Sequence, residues 1–249
     1  METEFKKAIV VGASSGIGEQ LARRLTSMGC KTALVARREE RLSAIAADIN
    51  GSTLELALPF VHDVRDFAAA SELFEQIVAK LGGLDLIIYA AGIMPKIGET
   101  EYDPEKDADI VRVNLIGAMA WLDAAAKRFE RLKAGTIVGI GSVAGDRGRR
   151  GNPAYAASKA GLECFLESLR NRLSQNGVSV VTIKPGRIAT EMTQDLGTMS
   201  GMIDADRAAE LILRASRRFG KTAYIPAKWW LVSKVVQTIP SFIFRRLKF

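Results

Sequence analysis

Ala8-Ile9-Val10-Val11-Gly12-Ala13-Ser14-Ser15-Gly16-Ile17-Gly18 decides the fold. Its first four residues are apolar and mostly β-branched, the mark of a short buried strand, and a helical pattern starts as soon as the glycine turn ends. Glycines let such a turn close and let backbone approach a pyrophosphate, while the free N–H groups and dipole of the helix N-terminus attract its charge. A glycine turn alone is a weak signal, because any tight strand-to-helix connection can use one. Its place between the first strand and the first helix makes it a dinucleotide-binding signal, with Gly12, Ser14, Ser15, Gly16, Ile17 and Gly18 as the candidate contacts.

Outward from this turn, apolar runs recur at residues 8–11, 32–35, 54–61, 86–89, 136–140, 178–183 and 223–225. Helical patterns alternate with them at 17–28, 39–49, 67–80, 105–132, 152–175 and 204–219. Each connection is long enough to return over the sheet, so consecutive strands run parallel through right-handed crossovers. The expected fold class is α/β: a doubly wound, Rossmann-type, mostly parallel seven-stranded sheet with helices on both faces. It forms one domain over residues 1–227, followed by an apolar basic tail at 228–249.

Composition narrows the chemistry. With 249 residues, 48% hydrophobic and 25% charged, the chain buries enough surface to hold a cofactor cleft without disulfide or metal support. One histidine, His62, and two cysteines, Cys30 and Cys164, lie at no metal-ligand or redox spacing, so no metal site is expected and both thiols read as core residues. The N-terminus runs straight into the first strand, which leaves no room for a signal peptide and makes a cytoplasmic location the expectation. The net charge of +7 is spread through helices with no aromatic-rich basic motif. It therefore suits a phosphate-bearing cofactor or a membrane surface, and no nucleic-acid partner is expected.

About 20 residues beyond the glycine turn, where an NAD site carries an acid for the ribose 2′-hydroxyl, the second strand ends in Ala36-Arg37-Arg38. Guanidinium pairs bidentately with a 2′-phosphate that a carboxylate would repel, so Arg37 and Arg38 favour NADP(H) over NAD(H). The competing reading leaves one or both arginines facing solvent.

At the chemical end, Ser142-Val143-Ala144-Gly145 follows the fifth strand and Tyr155-Ala156-Ala157-Ser158-Lys159 opens the next helix. Tyrosine and lysine at i and i+4 share one helix face, where an ammonium stabilises a phenolate and brings an ordinary pKa near 10 closer to neutrality. By itself Tyr-x-x-x-Lys is frequent by chance. Combined with Gly12-x-x-x-Gly16-x-Gly18, Asp63-Val64, Ala90-Ala91-Gly92, Asn114, Ser142 and Pro185-Gly186, it resembles the short-chain dehydrogenase/reductase family over about residues 7–192. One departure is Ala90, where the family usually has asparagine.

The resemblance implies an oxidoreductase that interconverts a carbonyl and a secondary alcohol by hydride transfer, on a small-molecule or lipid-like substrate. It implies that Ser142 hydrogen-bonds the substrate oxygen, that Tyr155 gives or takes its proton, and that Lys159 holds the nicotinamide ribose. It further implies a relay water on Asn114, adenine contacts from Asp63 and Val64, a cofactor lining of Ala91 and Gly92, and nicotinamide contacts from Ile188 and Thr190 after Pro185-Gly186. A homo-oligomer is implied too, with the apolar run 119–126 as one surface for it. The alternative is a catalytically silent dinucleotide-binding sensor or scaffold, because fold does not fix function.

Two further segments carry readings of their own. Arg147, Arg149 and Arg150, if they rim the substrate mouth, would receive an anion; the other reading is solvated surface charge. The tail is apolar, aromatic and basic, and its stretch 229–244, broken by Pro240, is shorter than the roughly 20 residues needed to span a bilayer. Its tryptophans and Lys228, Lys234, Arg245, Arg246 and Lys248 fit peripheral contact with the cytoplasmic face of a membrane. The equal alternative folds the tail over the pocket or into a subunit interface.

Overall fold

A computed structural model describes residues 5–51, 55–196 and 201–247. Strand β1 (Lys7–Val11) feeds helix α1 (Gly16–Ser27), and the alternation continues through β2 (Lys31–Ala36), α2 (Glu39–Asn50), β3 (Ala57–Val61), α3 (Ala70–Leu81) and β4 (Leu86–Tyr89). Next come α4 (Pro104–Val111), α5 (Gly117–Leu132), β5 (Gly135–Ile140), α6 (Pro153–Leu173) and β6 (Val178–Pro185). A short parallel pair, β7 (Ile188–Ala189) and β8 (Ile203–Asp204), leads to α7 (Ala205–Ser216) and β9 (Thr222–Ile225). Helices α8 (Lys228–Thr238) and α9 (Ser241–Phe244) follow. The large sheet has the order β3-β2-β1-β4-β5-β6-β9, with every neighbouring pair parallel. The strand read at 54–61 enters the sheet at Ala57, and Leu54 lies outside the described residues.

Two-residue periodicity splits the core into two layers. Ile9 and Val11 of β1 and Ile87 and Tyr89 of β4 join Phe74, Trp121 and Phe129 of α3 and α5. Ala8, Val10, Leu86 and Ile88 turn the other way, onto Leu21, Leu25 and Ile212 of α1 and α7. Burial on both faces is why the strands read as unbroken apolar runs. Connections reverse direction between β1 and β4, and a doubly wound sheet opens a crevice for ligands at such a switch point, beyond the carboxyl ends of its strands.

The single helix expected at 105–132 is two, joined by a π-helical stretch at Arg112–Ile116. Such a bulge inserts one residue and is frequent at functional sites. Here it carries Asn114, and the Tyr89 phenol pins it by donating to the Val113 carbonyl at 2.6 Å. Within the apolar run 119–126, Trp121, Leu122, Ala125 and Ala126 are buried in the chain's own core, whereas Met119, Ala120 and Ala124 are half-buried and Asp123 is exposed. Cys30 is a core thiol that burial pushes up to about 11, whereas Cys164 sits on the exposed side of α6, contrary to the core reading. The 228–247 part of the tail forms α8 and α9, and α8 packs on β9 and on the turn after β5.

Candidate active site

A cleft of about 900 Å³ opens beyond the C-terminal ends of the strands. All the residues singled out from the sequence for catalysis or cofactor binding line it except Asn114, which lies just behind. At one end is the glycine turn. Gly12, at φ +93°, approaches Ala91 so closely that a Cβ would fall 2.4 Å from the Ala91 nitrogen, and a Cβ on Gly18 would fall 2.1 Å from the Gly12 oxygen. Among the described residues no side chain caps α1, which leaves its first N–H groups available to an anion such as a pyrophosphate.

The two arginines after β2 are not equivalent. Arg38 turns inward: Nε donates to Ser14 Oγ at 3.1 Å, Nη2 to Ser15 Oγ at 2.5 Å and Nη1 to Glu191 Oε2 at 2.9 Å. Arg37 is 60% exposed, with its guanidinium 3.8 Å from Asp63. Arg41 completes the cluster by pairing with the second oxygen of Glu191. Hydrogen bonds from Arg38 and then Arg41 hold the Glu191 carboxyl below the usual range. The Glu191 carboxylate is thus held by two guanidiniums, one of which also donates to the Ser14 and Ser15 hydroxyls, and guanidiniums that hold a carboxylate also suit a phosphate. Neither Arg41 nor Glu191 was found from the sequence, although Arg41 stands one helical turn from Arg38. Asp63 is gripped mainly by Arg65, 2.7 Å away, which keeps its carboxyl below the usual value. Val64 beside it is buried.

At the other end, Asn152 caps α6, its Oδ1 accepting from Tyr155 N at 3.0 Å while its Nδ2 donates to the Pro95 carbonyl at 3.0 Å. This cap fixes the turn that carries Tyr155. One turn on, Lys159 is 4% exposed; its Nζ donates to the Ile140 carbonyl at 2.8 Å and lies 5.8 Å from the centre of the Tyr155 ring. Burial lowers the ammonium to about 8, with Glu163 pulling the other way. Burial also raises the Tyr155 phenol above its ordinary value, opposed by a hydrogen bond with Ser142. Spacing alone implied a lowered tyrosine; in the folded chain desolvation outweighs it.

Asn114 is fully buried. Its Nδ2 donates to the Ile93 carbonyl and to Ser158 Oγ, and its Oδ1 accepts from Ile93 N at 2.8 Å. A Cβ placed on Gly92 would meet Oδ1 at 3.3 Å and Lys159 Nζ at 3.5 Å, so both polar groups converge on one point of the cleft wall. Opposite, Thr193 Oγ1 ties the segment after β6 together by donating to the Ile188 carbonyl at 2.7 Å and accepting from Thr190 N at 3.0 Å. The stretch 191–203, rich in Met, Gly and Thr, is expected from the sequence to form a loop over the substrate; its residues 197–200 lie outside the described residues.

Beneath Ser142 is a charge network that the sequence did not announce. Ser142 N donates to Glu163 Oε1 at 3.0 Å, and Lys184 Nζ sits 2.6 Å from Glu163 Oε2 while also pairing with Asp146. Asp146 accepts from Tyr224 and Gln237 at 3.2 and 2.9 Å. Gly141 permits this, because a Cβ there would fall 2.6 Å from Glu163 Oε1. Arg147, Arg149 and Arg150, by contrast, do not line the cleft. Arg147 and Arg150 donate to carbonyls of the C-terminal segment instead, so the expectation that they rim the substrate mouth is corrected.

Comparison with known proteins agrees with this geometry. The family model for short chain dehydrogenases matches residues 6–201. An uncharacterized oxidoreductase of Myxococcus xanthus is 33% identical over 254 residues, covering 99% of both chains. A 3-oxoacyl-[acyl-carrier-protein] reductase of Bos taurus is 32% identical, over 84% of this chain and 92% of its own. Among solved structures, an actinorhodin polyketide ketoreductase variant with NADPH superposes with a TM-score of 0.78 at 25% identity, over 90% of this chain and 97% of its own. With a glycine turn, a Ser-Tyr-Lys end and this extent of match, the chain belongs to the short chain dehydrogenase family.

Proposed function

We propose that this oxidoreductase uses NADP(H) to interconvert a carbonyl and a secondary alcohol, with Tyr155 as the acid/base. One observation carries the reading: a single cleft holds a cation cradle at one end and Ser142, Tyr155 and Lys159 at the other. The Gly12–Gly18 turn would hold the pyrophosphate. Arg38 and Arg41 with Ser14 and Ser15 would hold the 2′-phosphate, with Asp63 and Val64 by the adenine, and Lys159 and Thr190 toward the nicotinamide end. When bound, the cofactor supplies or accepts the hydride. The bovine relative's name as a 3-oxoacyl reductase and the NADPH in the ketoreductase structure support a ketone substrate and NADP(H).

The chain's own residues move the proton. A phenol with an ordinary pKa near 10 is protonated at neutral pH and burial shifts Tyr155 further that way, so its O–H donates to a substrate oxygen as that oxygen gains charge, and the Ser142 hydroxyl hydrogen-bonds the same oxygen. Lys159, cationic below about pH 8, stabilises the phenolate left behind. In the oxidising direction that phenolate takes the proton back. Tyr155→Phe should leave NADPH binding intact by calorimetry and lower kcat by about 100-fold or more on a ketone panel. A variant that keeps most of its turnover removes Tyr155 from this role. Arg38→Ala combined with Arg41→Ala should weaken NADPH and spare NADH; equal effects on the two cofactors overturn the NADP(H) assignment.

A further inference from the structure

The C-terminal helices are anchored to the domain on one side and apolar on the other. Trp229 lies against Gly186, where a Cβ would come 2.0 Å from its Nε1. Ser233 and Val236 are buried, and Gln237 donates to Asp146. Arg147 locks the far end: Nη1 donates to the Val236 and Ile239 carbonyls, each at 2.6 Å, and its guanidinium lies 3.9 Å from the centre of the Phe244 ring. Both helices are therefore held in place. Yet Leu231, Val232 and Val235, at helical spacing away from the anchored side, are 62%, 45% and 55% exposed, and Trp230, Phe242 and Ile243 are exposed as well. A helix that merely capped the domain would carry polar residues there, and exposed apolar sets of this kind mark protein or membrane contacts.

Charge distinguishes the two. Residues 228–247 contain no acidic side chain, and Lys228, Lys234, Arg245 and Arg246 are all exposed. Beside them a cavity of about 260 Å³ is lined by Arg149, Arg150 and Arg245 with Phe244 and Leu247, and Arg149 Nε has no hydrogen-bond partner among the described residues. A second copy meeting this face about a two-fold axis would bring together two cationic surfaces whose 228–247 segments supply no carboxylate to pair with them. An anionic bilayer complements them, and tryptophan favours its headgroup level. We propose that the α8–α9 face docks peripherally on an anionic phospholipid surface. No described helix is long and apolar enough to cross a membrane, which leaves the interface as the site of contact. Trp229 touches Gly186 of the cleft lining, and α8 packs on the turn after Ser142, so docking sets the cleft close to the lipid.

Vesicle flotation of the full chain tests this without reference to turnover. The protein should float with vesicles of one part phosphatidylglycerol to two parts phosphatidylcholine, less so as salt rises, and stay behind with phosphatidylcholine alone. Since each cation near an anionic surface contributes roughly a fivefold factor, K234Q with R246Q should lower partitioning roughly 25-fold. L231S with V235S should also release the protein at an unchanged Tm. A full chain that remains in the lipid-free fractions overturns the proposal. So does a light-scattering result in which L231S with V235S converts a dimer to monomer while vesicle binding is unaltered.

Discussion

Replacing Lys184 with methionine probes whether the network beneath Ser142 holds the active-site turn. Lys184 pairs with two carboxylates at once, with side-chain exposures of 9% for the lysine, 3% for Asp146 and 12% for Glu163. Removing one partner from a buried pair costs roughly 3–5 kcal/mol, because the remaining charge is stranded away from water. At roughly 2–4 °C per kcal/mol for a domain of this size, Tm should fall by roughly 6–20 °C. The pH dependence is more telling. Burial already raises the Glu163 carboxyl, with the Lys184 hydrogen bond pulling it back; without the lysine it rises further. A carboxyl whose folded pKa exceeds its unfolded value lets the folded state bind more protons. Its stabilisation is therefore fullest at low pH and is lost as pH climbs through the folded pKa. The Lys184→Met deficit, read by urea unfolding with far-UV circular dichroism, should be larger at pH 8 than at pH 5. Adding Glu163→Gln should recover part of it. A loss under about 1 kcal/mol at pH 7 with parallel pH curves would refute the reasoning, since that is the range of exposed pairs.

Other perturbations address the two ends of the cleft. Glu191→Gln releases Arg38 and Arg41, and because these pairs are 37–51% exposed and worth about 0–1 kcal/mol each, NADPH should bind roughly two- to fivefold tighter in calorimetry; weaker binding would show that Glu191 supports the cradle. Lys159→Met should abolish turnover yet stabilise the ligand-free chain at pH 7 by about 1–3 kcal/mol. The buried ammonium, held to about 8, binds its proton less tightly folded than unfolded, so the penalty is full below pH 8 and fades above it. A lower Tm than wild type at pH 7 contradicts this. Asn152→Ala removes the α6 cap and should cost about 0.5–2 kcal/mol. It should also lower kcat while the NADPH Kd holds; an unaltered kcat would separate the cap from Tyr155 positioning.

Much of the fold was legible because its signals are local. Strand-turn-helix order at 8–18 follows from β-branching, glycine and helical period, and the Tyr155 and Lys159 pairing follows from one helical turn. Boundaries slipped where tertiary contacts intervened, as at the π-helical stretch that Tyr89 braces from the sheet. Cys164 was misread because a helical residue faces core or solvent according to what packs on it. The tail's composition was plain, but its seat on Gly186, Asp146 and Arg147 was not.

By itself the sequence determined a doubly wound parallel sheet, a glycine turn where a pyrophosphate can approach, and a serine, tyrosine and lysine at the chemical end. Only the tertiary structure decided that Arg38 is tied to Ser14, Ser15 and Glu191 while Arg37 stays more exposed beside Asp63, that Glu191, 150 positions from Arg41, pairs with it, and that Glu163, Lys184 and Asp146 meet under Ser142. It also reversed the direction of the Tyr155 shift. The reason is common to all of these. Periodicity and turn chemistry act between neighbours along the chain, whereas desolvation and ion pairing depend on which distant side chains the packed layers bring within a few ångströms of each other.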